Sequence, residues 1–351
     1  MLKKIVNEAF CTVRITTTGP LLVKSGYATV SGPDMTPVLT NRNGKQEVFI
    51  PGSSLKGVFR SHIEKIVCSL KPRVVCYPFE INNQRMRESI SDMTQLQNDY
   101  RESCGGMFTR FASRNKGNRE NKESLEDLSD LVYAASCPTC RLFGSTAFIG
   151  RIAISDAYLV SEEAKELRDG VGIDRLTGGA SHGAKFNLEV VSEGVTFETS
   201  IHLRNFEIWQ LGMLFIVLQD MQDELIHLGS GRSRGLGQVK AEISLQDTPA
   251  RPGGFVTSAI RNSGEPDNEL WGLGRWLNSS PQEDRYGTQY NDFLSLQPSG
   301  ARVDRGIRSM RAFTGDNFSR LQEAAIENFV SRMLSWSDKY TRTFLSPAVQ
   351  R

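Results

Sequence analysis

Residues 50–70 read IPGSSLKGVFRSHIEKIVCSL. Leu55, Val58, Phe59, His62, Ile63, Ile66 and Val67 recur at steps of three and four, so the spacing predicts an amphipathic helix over Leu55–Leu70. Pro51 and the turn Gly52-Ser53-Ser54 open it. Upstream, residues 9–18 (AFCTVRITTT) alternate and are β-branched, which predicts a strand that Gly19-Pro20 breaks. Downstream, residues 151–160 (RIAISDAYLV) read as a second strand, with Ile152, Ile154 and Tyr158 on alternate positions. Val190–Leu203 carries two β-like runs around Glu193-Gly194. Phe206–Leu228 predicts a long apolar helix, and Gln238–Leu245 alternates as a last strand. The order strand–helix–strand–strand–helix–strand is that of an α+β, ferredoxin-like core.

The remaining stretches are less regular. Residues 20–47 hold Gly26, Gly32-Pro33-Asp34, Pro37 and Asn43-Gly44, and a loop beyond about 15 residues is usually functional or disordered. Residues 80–131 are polar and read as an insertion, partly helical near Ser124–Val132. Residues 170–187 are rich in Gly, Ala and Ser and read as a mobile hairpin or loop. After Asp247-Thr248-Pro249 the composition shifts, and residues 249–300 are rich in Gly, Pro, Asn and Ser. Trp271, Trp276 and Trp336 lie beyond that point, so the tail is expected to bury a small core of its own, with a helix over 317–340. The division expected is a core over residues 1–248 and a C-terminal extension over 249–351, with no internal repeat.

The chain has 351 residues, enough for about two domains or one decorated domain. Its apolar fraction of 39% excludes global disorder. With 42 basic against 40 acidic residues, a basic surface for nucleic acid must be local. No stretch approaches the roughly 18 apolar residues of a membrane span. Residues 1–8 turn polar too soon for a signal peptide, so a cytoplasmic address is expected. Six cysteines are then metal ligands or buried thiols rather than a disulfide framework.

Four local signals carry chemistry. The turn Gly52-Ser53-Ser54 with Lys56 presents free N–H groups and a cation at a helix start, a phosphate cradle, although an ordinary serine N-cap has the same pattern. The turn Gly229-Ser230-Gly231-Arg232-Ser233-Arg234-Gly235-Leu236-Gly237 lets backbone approach a ligand between two arginines, beyond what a helix C-cap needs. Cys137-x-x-Cys140 has zinc-ligand spacing, and Cys76 and Cys104, both in loop-like sequence, complete the best four-thiolate set. Cys11 falls in the first strand and Cys68 in the helix. Four thiolates leave no open position for water, so such a site is structural; simple burial is the alternative. Asp34, between Pro33 and Met35, reads on its own as a turn former. His62, His182, His202 and His227 form no catalytic arrangement. Arg302, Arg305, Arg308 and Arg311 recur every third residue and would form a phosphate-facing stripe if helical, or a solvated charged face.

In this order the Gly32-Pro33-Asp34 loop, IPGSSLKGVFRS (50–61), CPTCRLFGSTA (137–147) and GSGRSRGLGQV (229–239) resemble the RAMP superfamily of CRISPR-associated proteins. The resemblance is closest to the backbone subunit of type III effector complexes and covers residues 9–245. It implies a modified RNA-recognition-motif core, with copies lined along the crRNA and other effector subunits as neighbours. It implies a thumb hairpin at Gly172–Asn187, within residues 170–190, that kinks the guide–target duplex. The RNA-facing residues it implies are Gly52, Ser53, Ser54, Lys56 and Arg60 at the helix start. Arg175 and Thr177 on the thumb join them, as do Gly231, Arg232, Ser233 and Arg234 on the turn. Asp34 stands where cleaving members carry the aspartate that supports cutting of target RNA with a divalent metal such as Mg2+. Cys76, Cys104, Cys137 and Cys140 resemble the Zn2+ knot of some backbone subunits, within the insertion over 76–140. The alternatives are the same scaffold without cleavage and a standalone crRNA-processing endoribonuclease, against which the histidine positions argue.

Overall fold

A computed structural model of the chain describes residues 4–26, 32–78, 100–115, 129–249, 251–296, 302–341 and 344. Much of the expected insertion, residues 79–99 and 116–128, lies outside them. The elements in chain order begin with β1 (Asn7–Thr17), β2 (Leu39–Arg42), β3 (Lys45–Ile50) and α1 (Gly52–Leu70). Next come α2 (Cys104–Asn115), α3 (Ser129–Ala135), α4 (Pro138–Phe143), β4 (Gly144–Ser145), β5 (Phe148–Ile149), β6 (Ile152–Ile154) and β7 (Ala157–Leu159). The hairpin β8 (Lys165–Ile173) and β9 (Ala180–Val191) leads to β10 (Thr196–Arg204), α5 (Ile208–Gln222) and β11 (Val239–Ile243). The tail holds β12 (Phe255–Ile260), β13 (Glu269–Trp271), α6 (Leu273–Leu277), β14 (Phe293–Ser295), β15 (Val303–Arg305), β16 (Arg308–Phe313) and α7 (Gly315–Leu334).

β1 is the middle of the main sheet because its alternation works on both edges and one face. Ala9, Cys11, Val13 and Ile15 are buried, while Arg14 between them is exposed. One edge pairs antiparallel with β10 from Glu8↔Arg204 to Thr16↔Thr196. β10 in turn takes β6 and β7. The other edge takes β11 along Val13–Thr17. The resulting order β11-β1-β10-β6/β7, with α1 after β1 and α5 after β10, is the ferredoxin-like arrangement expected from the sequence. β3 extends the sheet beyond β7, and β2 joins β3 through the two-residue turn Asn43-Gly44, both left-handed, as such hairpins require.

Several expectations change. Residues 151–160 form two short strands, because the chain breaks at Ser155-Asp156. The long helix stops at Gln222, where Glu224 turns left-handed. The loop over 170–187 is part of an ordered hairpin that begins earlier, at Lys165. Among the described residues the tail joins the main core and does not bury a separate one: β12 pairs with β1 at Asn7–Phe10, β16 with β12, and β15 with β16. Phe255, Phe313, Leu321, Phe329 and Met333 share one apolar cluster with Ala9, Val13 and Phe59. The reason is α5, which is buried almost all round and needs cover on two sides. The sheet supplies one side and α7 the other, so close at Gly212 that an added Cβ would lie 2.2 Å from Ala325 O. The arginine series is not helical. Arg302 pairs with Glu265 and Arg308 with Glu8, and Arg311 is buried, donating to the Glu269 and Pro266 carbonyls.

Candidate functional site

Strand register gathers two of the candidate RNA-facing segments at one end of the sheet. Thr17 pairs with Val239 and Phe197 with Leu159, so the Gly229–Gly237 turn and the hairpin base lie together there, whereas β3 runs away from that end through Phe49↔Tyr158 and Ile50↔Ala157 and carries the start of α1 to the level of the β6–β7 link. Ser230 N–H donates to Leu22 O (2.8 Å) and Gly237 N–H to Pro20 O (2.7 Å), which seats the turn on the chain leaving β1. Glycine is required there: a Cβ at Gly229 or Gly237, both at positive φ, would meet the Leu22 or Leu228 carbonyl oxygen near 2.2 Å or 2.1 Å. Arg232, Ser233 and Arg234 form a single exposed 3-10 turn. Arg234 lies over the Phe186 ring on the hairpin at 5.4 Å. Beneath it, Leu22, Leu188, Val190 and Leu236 make a small separate apolar cluster that fixes the hairpin base to the turn.

Asp34 stands at that base. Its N–H donates to Asn187 Oδ1 (3.1 Å), and its Oδ2 accepts from the Asn187 N–H (2.9 Å). Glu189 N–H donates to Met35 O (2.9 Å), so the loop is laced to β9 on both sides of the aspartate's neighbour. The carboxylate is exposed. Arg175 and Thr177 are not brought to it. They sit at the hairpin tip, in a turn held by Asp174 Oδ1 accepting the Leu176 and Thr177 N–H groups. Those two bonds hold the Asp174 carboxyl below its usual range. Seven steps of β9, from Ala180 to Asn187, lie between that tip and Asp34, roughly 23 Å.

At the start of α1, Ser53 and Ser54 are exposed, but the Gly52 N–H already donates to Asp156 Oδ1 (2.8 Å). Gly52 is buried so closely under the β6–β7 link that a Cβ would lie 2.4 Å from Ile154 O. Lys56 is half-buried, and burial together with Arg60 lowers its affinity for a proton. Arg60 is committed to protein partners: Glu64 Oε1 (2.8 Å), Gly144 O (3.0 Å) and Cys140 Sγ (3.4 Å). Burial works against its charge, and Cys140 and Glu64 outweigh that and hold it above its ordinary range. A cleft of about 950 Å³ between α1 and the β4–β5 hairpin, lined by Lys56, Ser61, Thr146 and Phe148, runs from this helix face to the cysteines.

Cys76, Cys104, Cys137 and Cys140 are all buried, and their sulfurs lie within 4.8 Å of one another. Cys76 Sγ is 3.4 Å from Cys140 Sγ and 3.5 Å from Cys137 Sγ. A tetrahedral centre with metal–sulfur bonds of about 2.3 Å sets its sulfurs about 3.8 Å apart, so the set fits a soft divalent cation. The local fold builds it. Cys104 opens α2, Cys137 caps α4 by accepting from the Cys140 N–H, and Arg101 pairs with Val75 and Tyr77 beside Cys76. Burial opposes the Cys137 thiolate, and hydrogen bonds from the other three sulfurs outweigh it and hold this thiol well below its usual range. Cys11, alone in β1, is pushed up to about 12 by burial and is inert.

His62 and His202 link elements of the core. His62 Nε2 meets Asp220 Oδ2 (2.5 Å) between α1 and α5, and His202 Nε2 meets Glu8 Oε1 (3.0 Å). Sequence reasoning did not single out Asp156, Asn187, Phe186 or Arg101. Only Asp156 had a signal, a polar pair interrupting an apolar strand pattern. No described helix is long and apolar enough to cross a membrane. The family model of the RAMP superfamily matches residues 14–240, a span running from within β1 to within β11 and holding Asp34, the four cysteines and the Gly-rich turn. No curated protein matches the chain.

Proposed function

The chain belongs to the RAMP superfamily, a family of CRISPR-associated RNA-binding proteins, and on that premise we propose that it is the crRNA-binding backbone subunit of a type III effector complex that cleaves guide-paired target RNA. The observation that carries this reading is the seating of Asp34. An exposed carboxylate is fixed at the base of a projecting hairpin, beside the arginine turn, at the sheet end where RNA would lie.

The exposed Arg232 and Arg234 neutralise guide phosphates, and base pairing supplies sequence. The hairpin, with exposed Leu176 at its tip, separates successive duplex segments. Asp34 holds its carboxylate against a phosphodiester distorted by that separation, and most of the rate comes from the imposed geometry. Mg2+ keeps several waters and takes phosphates with one or two carboxylates, a demand that Asp34 with RNA meets; when bound it neutralises phosphate charge. The four cysteines hold structural Zn2+.

A second reading, the same scaffold without cleavage, rests on a specific observation. Asp34 already accepts the Asn187 N–H, and the four cysteines are the only metal-ligating cluster among the described residues. The test is cleavage of guide-complementary RNA by the reconstituted complex with Mg2+, comparing wild type, Asp34→Ala and Asp34→Asn. The asparagine keeps an acceptor for the Asn187 N–H and loses the charge. Cutting lost in both variants, with guide retention unchanged, supports a catalytic Asp34. Cutting retained in Asp34→Asn makes Asp34 a structural turn residue, and no cutting in wild type supports the scaffold.

A further inference from the structure

Two guanidinium groups each reach a different sulfur of the four. Arg60 Nη2 lies 3.4 Å from Cys140 Sγ, and Arg101 Nη2 lies 3.5 Å from Cys104 Sγ. The Cys137 N–H also donates to Cys104 Sγ (3.3 Å), and the Cys140 N–H to Cys137 Sγ (3.4 Å). A divalent cation with four thiolates is a net dianion, and a buried anion is stable only when donors and opposite charge meet it. Arg60 and Arg101 are the cations in place to do so.

Each arginine is held by further partners, so neither swings freely. Arg60 is braced by Glu64 and Gly144 O, and Arg101 by Ala135 O (2.7 Å) and the Asp338 carboxylate. Arg101 therefore touches a sulfur with one end and the segment after α7 with the other. That segment has other ties to the same region. Lys71 Nζ donates to Leu334 O (3.0 Å) and Trp336 O (2.8 Å), and the Phe344 ring packs edge-on against Phe108 and Phe111 of α2.

We propose that Arg60 and Arg101 are the outer-sphere positioning residues of a tetrathiolate metal centre, and that Arg101 couples occupancy of that centre to docking of the segment after α7. The proposal rests on the metal reading above. It also gives Arg60 a duty other than the RNA contact implied by its place in the helix motif.

The test uses full-length, zinc-loaded protein. Zinc transfer to a chromophoric chelator is followed in wild type, Arg60→Gln, Arg101→Gln and Arg101→Lys, together with hydrogen exchange of a peptide covering residues 334–341. Loss of an outer-sphere partner costs about 10–100-fold in metal affinity, so each glutamine variant should release zinc at least about tenfold faster. Arg101→Lys should recover part of that loss. Exchange in the C-terminal peptide should rise in Arg101→Gln and not in Arg60→Gln. Wild type that takes up no zinc overturns the metal reading and this proposal with it. Wild type that holds zinc while both glutamine variants match it overturns this proposal alone. If the glutamine variants do not fold, chelation of zinc from wild type must raise exchange in the same peptide, and unchanged exchange refutes the coupling.

Discussion

The same substitution, glycine to alanine, should have opposite effects at two helical positions. In an open helix interior alanine is favoured over glycine by about 0.8–1.0 kcal/mol. Gly57 in α1 is such a position: it is exposed, and an added Cβ meets nothing within 4 Å. Gly212 in α5 is the opposite case. There the added Cβ would stand 2.2 Å from Ala325 O and 2.7 Å from Phe329 Cβ, both on α7. Ordinary contact begins at 3.4 Å, so α7 must retreat by about 1.2 Å, and a backbone carbonyl cannot do so alone. Overpacking costs about 1–3 kcal/mol; taking the upper end and offsetting the propensity gain leaves about 2 kcal/mol of destabilisation. With a urea dependence of about 3 kcal/mol per molar, the unfolding midpoint of Gly212→Ala should fall by about 0.7 M. That of Gly57→Ala should rise by about 0.3 M. Urea unfolding followed by tryptophan fluorescence reads both. A midpoint for Gly212→Ala at or above wild type would refute the close α5–α7 crossing, and with it the account of how the tail is bound.

Asp292 is buried between two helix starts, accepting from the Ile208 N–H (2.9 Å) and the Gly274 N–H (2.8 Å). Burial, with the Glu207 charge beside it, raises its pKa from 3.8 to about 7. Between about pH 4 and pH 7 the folded state keeps a proton that the unfolded state has lost, so its contribution makes stability fall as pH rises through that window. Urea midpoints across that window should slope less steeply in Asp292→Asn, and an unchanged slope would contradict the raised carboxyl. Replacing Arg232 and Arg234 together by alanine should weaken guide RNA binding and reduce its salt slope by about 0.7 per lost phosphate contact, about 1.4 in all. A filter-binding salt titration that gives the wild-type slope would leave the turn a helix cap.

The parts that could be read from the sequence are those set by local pattern. α1 and β1 follow from apolar periodicity, because a helix face or strand face declares itself within a few residues. The four cysteines were separable from Cys11 and Cys68 because Cys137 and Cys140 have Cys-x-x-Cys spacing and Cys76 and Cys104 stand in loop-like sequence, whereas those two fall inside a strand and a helix pattern. The pairing of Phe10 with Val256 left no trace, since the register between distant strands is set by packing and not by either segment. The sulfur contacts of Arg60 and Arg101 were equally silent, and Arg60 was read as an RNA contact, because a basic residue that reaches a sulfur looks like any other among 42. The partner of Asp34 was hidden for the same reason: Asn187 meets it only once the hairpin is folded back.

The two-part edge of β1 bears on how the chain is made. Its Asn7–Phe10 half waits for β12 and its Val13–Thr17 half for β11, while the opposite edge waits for β10. At about 5–20 residues per second on the ribosome, the Asn7–Phe10 half-edge stays without β12 for about 10–50 s. Until β10 is made both edges of β1 are open to neighbouring nascent chains, and this half-edge stays open after β10 and β11 have been made. β1 thus keeps a half-edge open after its other pairing strands have been made, and a product shortened ahead of Phe255 would carry that half-edge open for good. Yield of intact protein should therefore fall when elongation between β1 and β12 is slowed and rise with chaperones that bind extended segments such as β1.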